Sequence, residues 1–236
     1  MAKSTPDEIR RRFDNDVERF ANLQTGQSAT IDAPLVLDLI TAAAASVNPS
    51  ARAVLDVGCG AGNYTLKLLE KIPGLDATLI DLSQPMLDRA AGRVRAAGCG
   101  GVTPIRGDIR EISLPAGQFD VILAAVVLHH LRSDGEWESV FAKFHAALRP
   151  GGSIWISDLV EHAHRRVHAM MWERYGEYLA KLKDEKYRDE VFAYVEKEDT
   201  PRSLEYQLDL LKRVGFRRIE ILHKNGPFAA FGATKD

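Results

Sequence analysis

The sequence predicts an α/β fold, a mainly parallel sheet with helices on both faces. Three observations carry that expectation. Short apolar segments alternate with helix-patterned ones from about residue 53 to residue 158. The first apolar segment runs straight into the glycines of "VLDVGCGAGNYT". Three carboxylates, Asp56, Asp81 and Asp108, fall at or near the ends of three successive apolar segments. Alternation of this kind is what crossover helices between parallel strands produce.

The elements follow in order. Ile9, Phe13, Val17 and Phe20 recur at helical spacing behind Pro6 and Asp7, so the first twenty residues are expected to form one amphipathic helix. "LQTGQSATIDAP" is expected to be a loop, and a second helix spans about residues 34–45. "RAVLDVG" is a strand, "NYTLKLLEKI" a helix and "DATLIDLS" a strand. "QPMLDRAAGRVRAAG" is a helix with Pro85 in its first turn. "VTPIRGDI" is a weaker strand and "FDVILAAVV" a strong one. "EWESVFAKFHAALRP" is a helix stopped near Pro150, and "GSIWISDLV" is the fifth strand. Residues 162–198 form a helical insert rich in charge and aromatic rings. "PRSLEYQLDLLKRVGF" then resumes the alternation as a helix. "RRIEILHK" and "FAAFGAT" flank "NGP" as a terminal hairpin. No flexible linker separates these parts. The expectation is a single domain over residues 1–236, with an N-terminal helical cap (1–46) and the insert (162–198) lying over the active site.

Composition narrows the function. With 236 residues, 45% of them hydrophobic, the chain can bury a sizeable core. A net charge of -2 offers no long-range attraction to a phosphate backbone, so nucleic acid is not an expected partner. Cys59 and Cys99 show no CxxC spacing, which argues against a disulfide framework or a zinc ribbon and fits a reducing compartment. No apolar run approaches membrane-span length. "MAKSTPDEIRRRF" leads into no hydrophobic segment, unlike a secretory signal. The expected setting is cytoplasmic, with a small-molecule substrate and no membrane partner. A homodimer is compatible with the sequence.

In "VLDVGCGAGNYT", Gly58, Gly60 and Gly62 end a strand, and a helix begins near Asn63. Backbone can approach a ligand closely at such a turn, and the helix start presents free N–H groups. A dinucleotide fingerprint would read GxGxxG, whereas this loop reads GxGxG. Asp56 stands at its mouth. A carboxylate there repels a pyrophosphate and attracts a cationic group, by about a few kcal/mol at intermediate dielectric. The loop therefore suits a nucleoside with a cationic tail. Asp81, at the tip of the second strand, is placed like the acids that accept from ribose hydroxyls. Asp108, in "RGDI", can accept from an exocyclic adenine amine. Each alone could be a capping or solvated aspartate; their order behind a glycine loop favours the nucleoside.

These segments, with "LIDLSQPML", "GDI", "FDVILAAVVLHHL" and "LRPGGSIWISD", resemble the ordered motifs of class I S-adenosylmethionine-dependent methyltransferases over roughly residues 54–158. The resemblance implies a Rossmann-like seven-stranded sheet, mostly parallel, with an antiparallel last strand. S-adenosyl-L-methionine is the implied cofactor. It also implies that Asp56, Gly58, Gly60 and Gly62 hold the methionine part and Asp81 the ribose. Leu82 and Met86 would flank the adenine, and Asp108 and Ile109 would read its edge. The backbone near Ala124 and Ala125 would lie along the methionine.

The fourth strand is expected to deliver His129 and His130 to the same rim. Each is either a base or a packing residue. Asp158, ending the fifth strand, is a further candidate base. His164 and His168 have i, i+4 spacing, yet Arg165 and Arg166 intervene and no second ligand cluster of conventional spacing exists, so no metal site is expected. Trp172, Arg174, Tyr175 and Tyr178 are either a substrate wall or insert packing. His223, Lys224 and Asn225 would meet the substrate if the sixth strand is parallel to the others. The expected activity is methyl transfer to a small molecule. The alternatives are a cofactor-modifying enzyme resembling carboxy-S-adenosylmethionine synthase, with Arg174 and Arg202 to be tested for the extra carboxylate, and a non-catalytic binding module.

Overall fold

A computed structural model describes residues 3–22 and 26–236. Met1 and Ala2 of the expected first helix, and Leu23, Gln24 and Thr25 of the expected loop, lie outside the described residues.

Parallel strands buried on both faces need continuous apolar sequence, and the centre of the sheet has it. β1 (Ala53–Val57) and β4 (Phe119–Ala125) pair in parallel at the middle, and nearly all their residues are buried. β2 (Asp76–Asp81) and β3 (Val102–Arg106) continue outward on one side, and β5 (Leu148–Leu159) on the other. β3 is one of the two edge strands and largely exposed, which explains its weak sequence signal. β6 (Arg217–Asn225) and β7 (Phe228–Thr234) form the hairpin, with β7 antiparallel to both β5 and β6. Among the described residues the sheet has seven strands in the order β3-β2-β1-β4-β5-β7-β6.

Helices cover both faces. α3 (Ala33–Val47), α4 (Asn63–Leu69) and α5 (Gln84–Ala96) pack Ile40, Leu68 and Leu87 against Leu79 and Leu123. On the other face α6 (Asp134–Ala147) and α9 (Leu204–Arg213) pack Phe141, Phe144 and Leu210 against Ile122 and Ile154. Ser83, Ser133 and Ser203 cap α5, α6 and α9, each hydroxyl accepting from the N–H three residues on.

The structure departs from expectation in two places that matter for the site. The N-terminal segment is two helices, α1 (Pro6–Asp14) and α2 (Val17–Ala21), broken at Asn15 and Asp16. The Asn15 side-chain amide donates to the Arg11 carbonyl, the local competition that makes Asn a helix ender. Second, β4 stops at Ala125 although the apolar run continues to Leu128. Val126 takes a left-handed φ of 55°, and Leu128–His130 form a single 3-10 turn.

The insert folds as α7 (Arg165–Leu182) and α8 (Glu185–Glu198), separated where Asp184 caps α8. Its core is Tyr175 and Leu179 against Leu159 and Phe228. The N-terminal segment docks on the end of α8: the Ser4 N–H donates to the Lys197 carbonyl at 3.1 Å, and Arg12 pairs with Glu198 at 2.9 Å.

Candidate active site

A cavity of about 540 Å³ lies over the carboxyl ends of the central strands, within the size range of small-molecule sites. Its sheet side is made by Asp56, Gly58, Gly60, Asp81, Leu82, Met86, Asp108, Ile109 and Ala125. Ala124 and Gly62 do not line it among the described residues. The opposite wall comes from α1, α2, α7 and α8, chiefly Phe13, Phe20, Tyr175, Tyr187 and Tyr194.

The three glycines serve different ends. Gly58 has φ of 65°, and a Cβ there would sit 2.5 Å from Val127 Cγ2. Gly62, with φ of 83°, starts α4 against α5, where a Cβ would meet that of Ala90 at 3.2 Å. Gly62 thus packs α4 closely against α5. Gly60 has φ of 50° and nothing within 4 Å of a Cβ, so its backbone borders open cavity. Arg93 secures the loop from α5, donating to the Ala61 carbonyl at 2.6 Å and to Asn63 Oδ1 at 2.8 Å. Asn63 in turn donates to the Phe20 carbonyl at 2.9 Å, tying loop to cap. Sequence reading missed Arg93, since an arginine inside an amphipathic helix carries no mark of this role.

Each carboxylate keeps an anchoring bond. Asp56 is 2% exposed and accepts from the Thr65 hydroxyl at 2.7 Å. Burial pushes its carboxyl up to about 6 against those hydrogen bonds. Asp81 accepts from the Gly60 N–H at 2.8 Å and the Ser83 N–H at 2.9 Å, joining β2 to the glycine loop. Burial pushes it, too, up to about 6. Two buried carboxyls in one cavity with raised values are groups that a cation would relieve. Asp108 differs. Burial would raise it, but hydrogen bonds from Arg110 side chain and backbone outweigh burial and hold it below the usual range.

The histidines sit on the 3-10 turn rather than on the strand tip. Asp158 is fully buried behind His129, accepting from its main-chain N–H at 3.1 Å and from Nδ1 in a short bond. Among the described residues Asp158 does not line the cavity. It holds His129 by ring and backbone. His129 Nε2 lies 3.6 Å from Asp199 Oδ1, and His130 Nδ1 lies 3.4 Å from the same oxygen. Burial would lower His129, but Asp199 and Asp158 outweigh it and lift the imidazole to about 9. Burial and the neighbouring His129 push His130 well below its ordinary value. Asp199, raised to about 6 chiefly by burial, lines the cavity with both histidines. Sequence reading missed it: in "EKEDT" nothing distinguishes Asp199 from its acidic neighbours.

Other candidates fall outside. His164 caps α7, its Nδ1 accepting from the Arg166 N–H at 3.3 Å, so it does not pair with His168. His223 and Asn225 reach the rim as the parallel β6 requires, but both bind Asp32, at 2.9 and 2.8 Å. Lys224 contacts His162 at 3.0 Å. Of the insert's four candidates only Tyr175 lines the cavity. Tyr175 and Tyr178 donate to the carbonyls of Ala29 and Ser28 at 3.0 and 2.7 Å, holding the insert to the loop before α3. Arg174 is exposed, and Arg202 pairs with Asp134.

Residues 54–152 match the family model described as a methyltransferase domain. Over this span the chain is similar to the methyltransferase domain family. The matched span includes the glycine loop, Asp56 and Asp81 on β1 and β2, and the histidine turn. An uncharacterized methyltransferase of Geobacillus kaustophilus is 35% identical over 105 residues, 44% of this chain and 46% of the relative. A carboxy-S-adenosyl-L-methionine synthase of Nautilia profundicola is 25% identical over 188 residues, 77% of this chain and 76% of the relative. The chain spans about half the length of the first of these methyltransferase relatives. The crystal structure of a Burkholderia thailandensis 1,6-didemethyltoxoflavin-N1-methyltransferase, with its bound 1,6-didemethyltoxoflavin and S-adenosylhomocysteine, aligns with a TM-score of 0.65. It covers 100% of this chain and 93% of that one at 19% identity, a likeness of fold. The matched span holds β1 to β4 and the start of β5.

Proposed function

We propose that this chain is an S-adenosyl-L-methionine-dependent methyltransferase acting on a small molecule. One observation carries the reading. A single cavity joins two buried, elevated carboxylates beside an open glycine turn to a second, aromatic and histidine-bearing wall. The residues suit the nucleoside. Asp56 and Asp81 supply charge for a cation and acceptors for hydroxyls. Gly60 leaves room for close backbone approach, and Met86 and Ile109 supply apolar surface. When bound, the nucleoside supplies an electrophilic methyl group.

The chain's own work is then positioning and exclusion of water. We read residues 1–46 and 162–198 as a cap over the site. Phe13, Phe20, Tyr187 and Tyr194 give it a wall suited to a flat or apolar acceptor. His129 and Asp199 stand where an acceptor's proton would be received. An imidazole lifted to about 9 is protonated at neutral pH, so His129 does not act there as a lone base. It acts with Asp199.

The second reading, modification of the cofactor itself, is favoured by the length of the match to the carboxy-S-adenosyl-L-methionine synthase and by Arg12 and Arg19 on the cavity wall. The arginines first considered for that role, Arg174 and Arg202, do not line it. Incubation with methyl-labelled S-adenosylmethionine and a metabolite extract, read by mass spectrometry, separates the readings. Label in a metabolite supports methyl transfer. An altered nucleoside supports the second reading, and binding without product would indicate a binding module.

A further inference from the structure

We propose that His129, His130 and Asp199 hold a divalent transition-metal ion of the zinc class, with an open coordination position facing the acceptor end of the cavity. Their ligand atoms lie within 4.8 Å of one another. The separations from Asp199 Oδ1, 3.6 Å to His129 Nε2 and 3.4 Å to His130 Nδ1, are too long for good hydrogen bonds. They are the right length for neighbouring corners of a tetrahedron, since ligands about 2.0–2.2 Å from zinc lie about 3.3–3.5 Å apart.

Satisfaction of polar atoms points the same way. Asp199 is 4% exposed, and its Oδ1 has no hydrogen-bond partner; His130 Nδ1 is likewise buried and unpartnered. Buried polar atoms are normally paired, and a bound ion is one of the few explanations for two that meet unpaired. His129 is oriented as a ligand, and binding of the ion would displace the second ring proton. Its Nδ1–H is taken by Asp158, which leaves Nε2 toward Asp199, the carboxylate–histidine arrangement that orients metal-binding imidazoles. The nearby cations are otherwise engaged: Arg12 pairs with Glu198, and Arg132 donates to the Glu198 carbonyl and to Thr200. Two nitrogens and one carboxylate oxygen leave a fourth position for water or an acceptor oxygen.

All three residues lie at the acceptor end, so the ion would polarise an acceptor hydroxyl. Binding of the ion does not depend on the methyl-transfer reading, because it is measured without nucleoside or acceptor. The full chain, stripped with chelator, would be titrated with Zn²⁺ by calorimetry and with Co²⁺ by visible absorption. The expected results are one ion per chain and the intense bands of four-coordinate Co²⁺. Asp199→Asn and His130→Gln should each weaken Zn²⁺ binding by at least the tenfold to hundredfold that loss of an outer partner costs, and Asp158→Asn by about that factor. His164→Gln and His168→Gln should change nothing. Absence of stoichiometric binding, or of the Co²⁺ bands in the wild-type chain, would overturn the proposal. So would binding lost in His168→Gln and kept in Asp199→Asn.

Discussion

The Asp158 carboxylate takes both the main-chain N–H and the ring Nδ1 of His129, across the 29 residues that separate the end of β5 from the turn after β4. That double contact fixes where the turn leaves the strand and which ring nitrogen faces the cavity. Both partners are almost wholly buried. Removing the acid leaves a ring and a backbone donor without an acceptor. Asp158→Ala should therefore lower unfolding free energy by about 3–5 kcal/mol, measured by denaturant titration. Asp158→Asn, which retains one acceptor, should cost less. Equal, small losses for the two variants would show that the contact does not hold the turn.

The glycine loop separates packing from ligand approach. Both Gly60→Ala and Gly62→Ala should pay the left-handed backbone cost of about 1–2 kcal/mol. Gly62→Ala adds contact with Ala90 and should lose further stability. Gly60→Ala puts a methyl group into open cavity and should lose S-adenosylmethionine affinity well beyond its loss of stability. Melting temperature and calorimetric titration on both variants check the contrast; the reverse pattern would exchange the roles assigned here.

Acidification should weaken nucleoside binding. Asp56 and Asp81 titrate near 6 because of burial. Above that pH both are anionic and can meet a cation. Below it each must release a proton for the cation to bind. Affinity should fall with pH below about 6, by up to two decades per pH unit while both are required. In Asp56→Asn the slope should drop to about one decade, since one proton-linked group is gone. Calorimetry from pH 5 to 7 measures this, and a flat wild-type profile would contradict it.

Much of the fold was legible because parallel strands buried on both faces are largely apolar, as in β1 and β4. The three carboxylates were legible because they fall at or near the ends of three successive strands. What escaped was decided by tertiary contact. The run to Leu128 gave no sign that Val126 would turn to a left-handed φ, or that the turn after it would be held by Asp158 far along the chain. Gly62 looked like its neighbours, and only the closeness of Ala90 separates it from Gly60. Asp199 sits in an acidic run that reads as solvated surface; it is buried because the N-terminal segment closes over the end of α8. Residue type marked the sheet side of the site, whereas long-range docking made the cap side.

The most direct measurement is calorimetric titration of the wild-type chain and Asp81→Ala with S-adenosylmethionine. The wild type should bind one nucleoside per chain. Asp81→Ala, which loses an acceptor that also anchors Gly60, should bind about 1–3 kcal/mol more weakly. Absence of binding to the wild type, or an unchanged affinity in the variant, would contradict the assignment of this cavity to the sulfonium nucleoside.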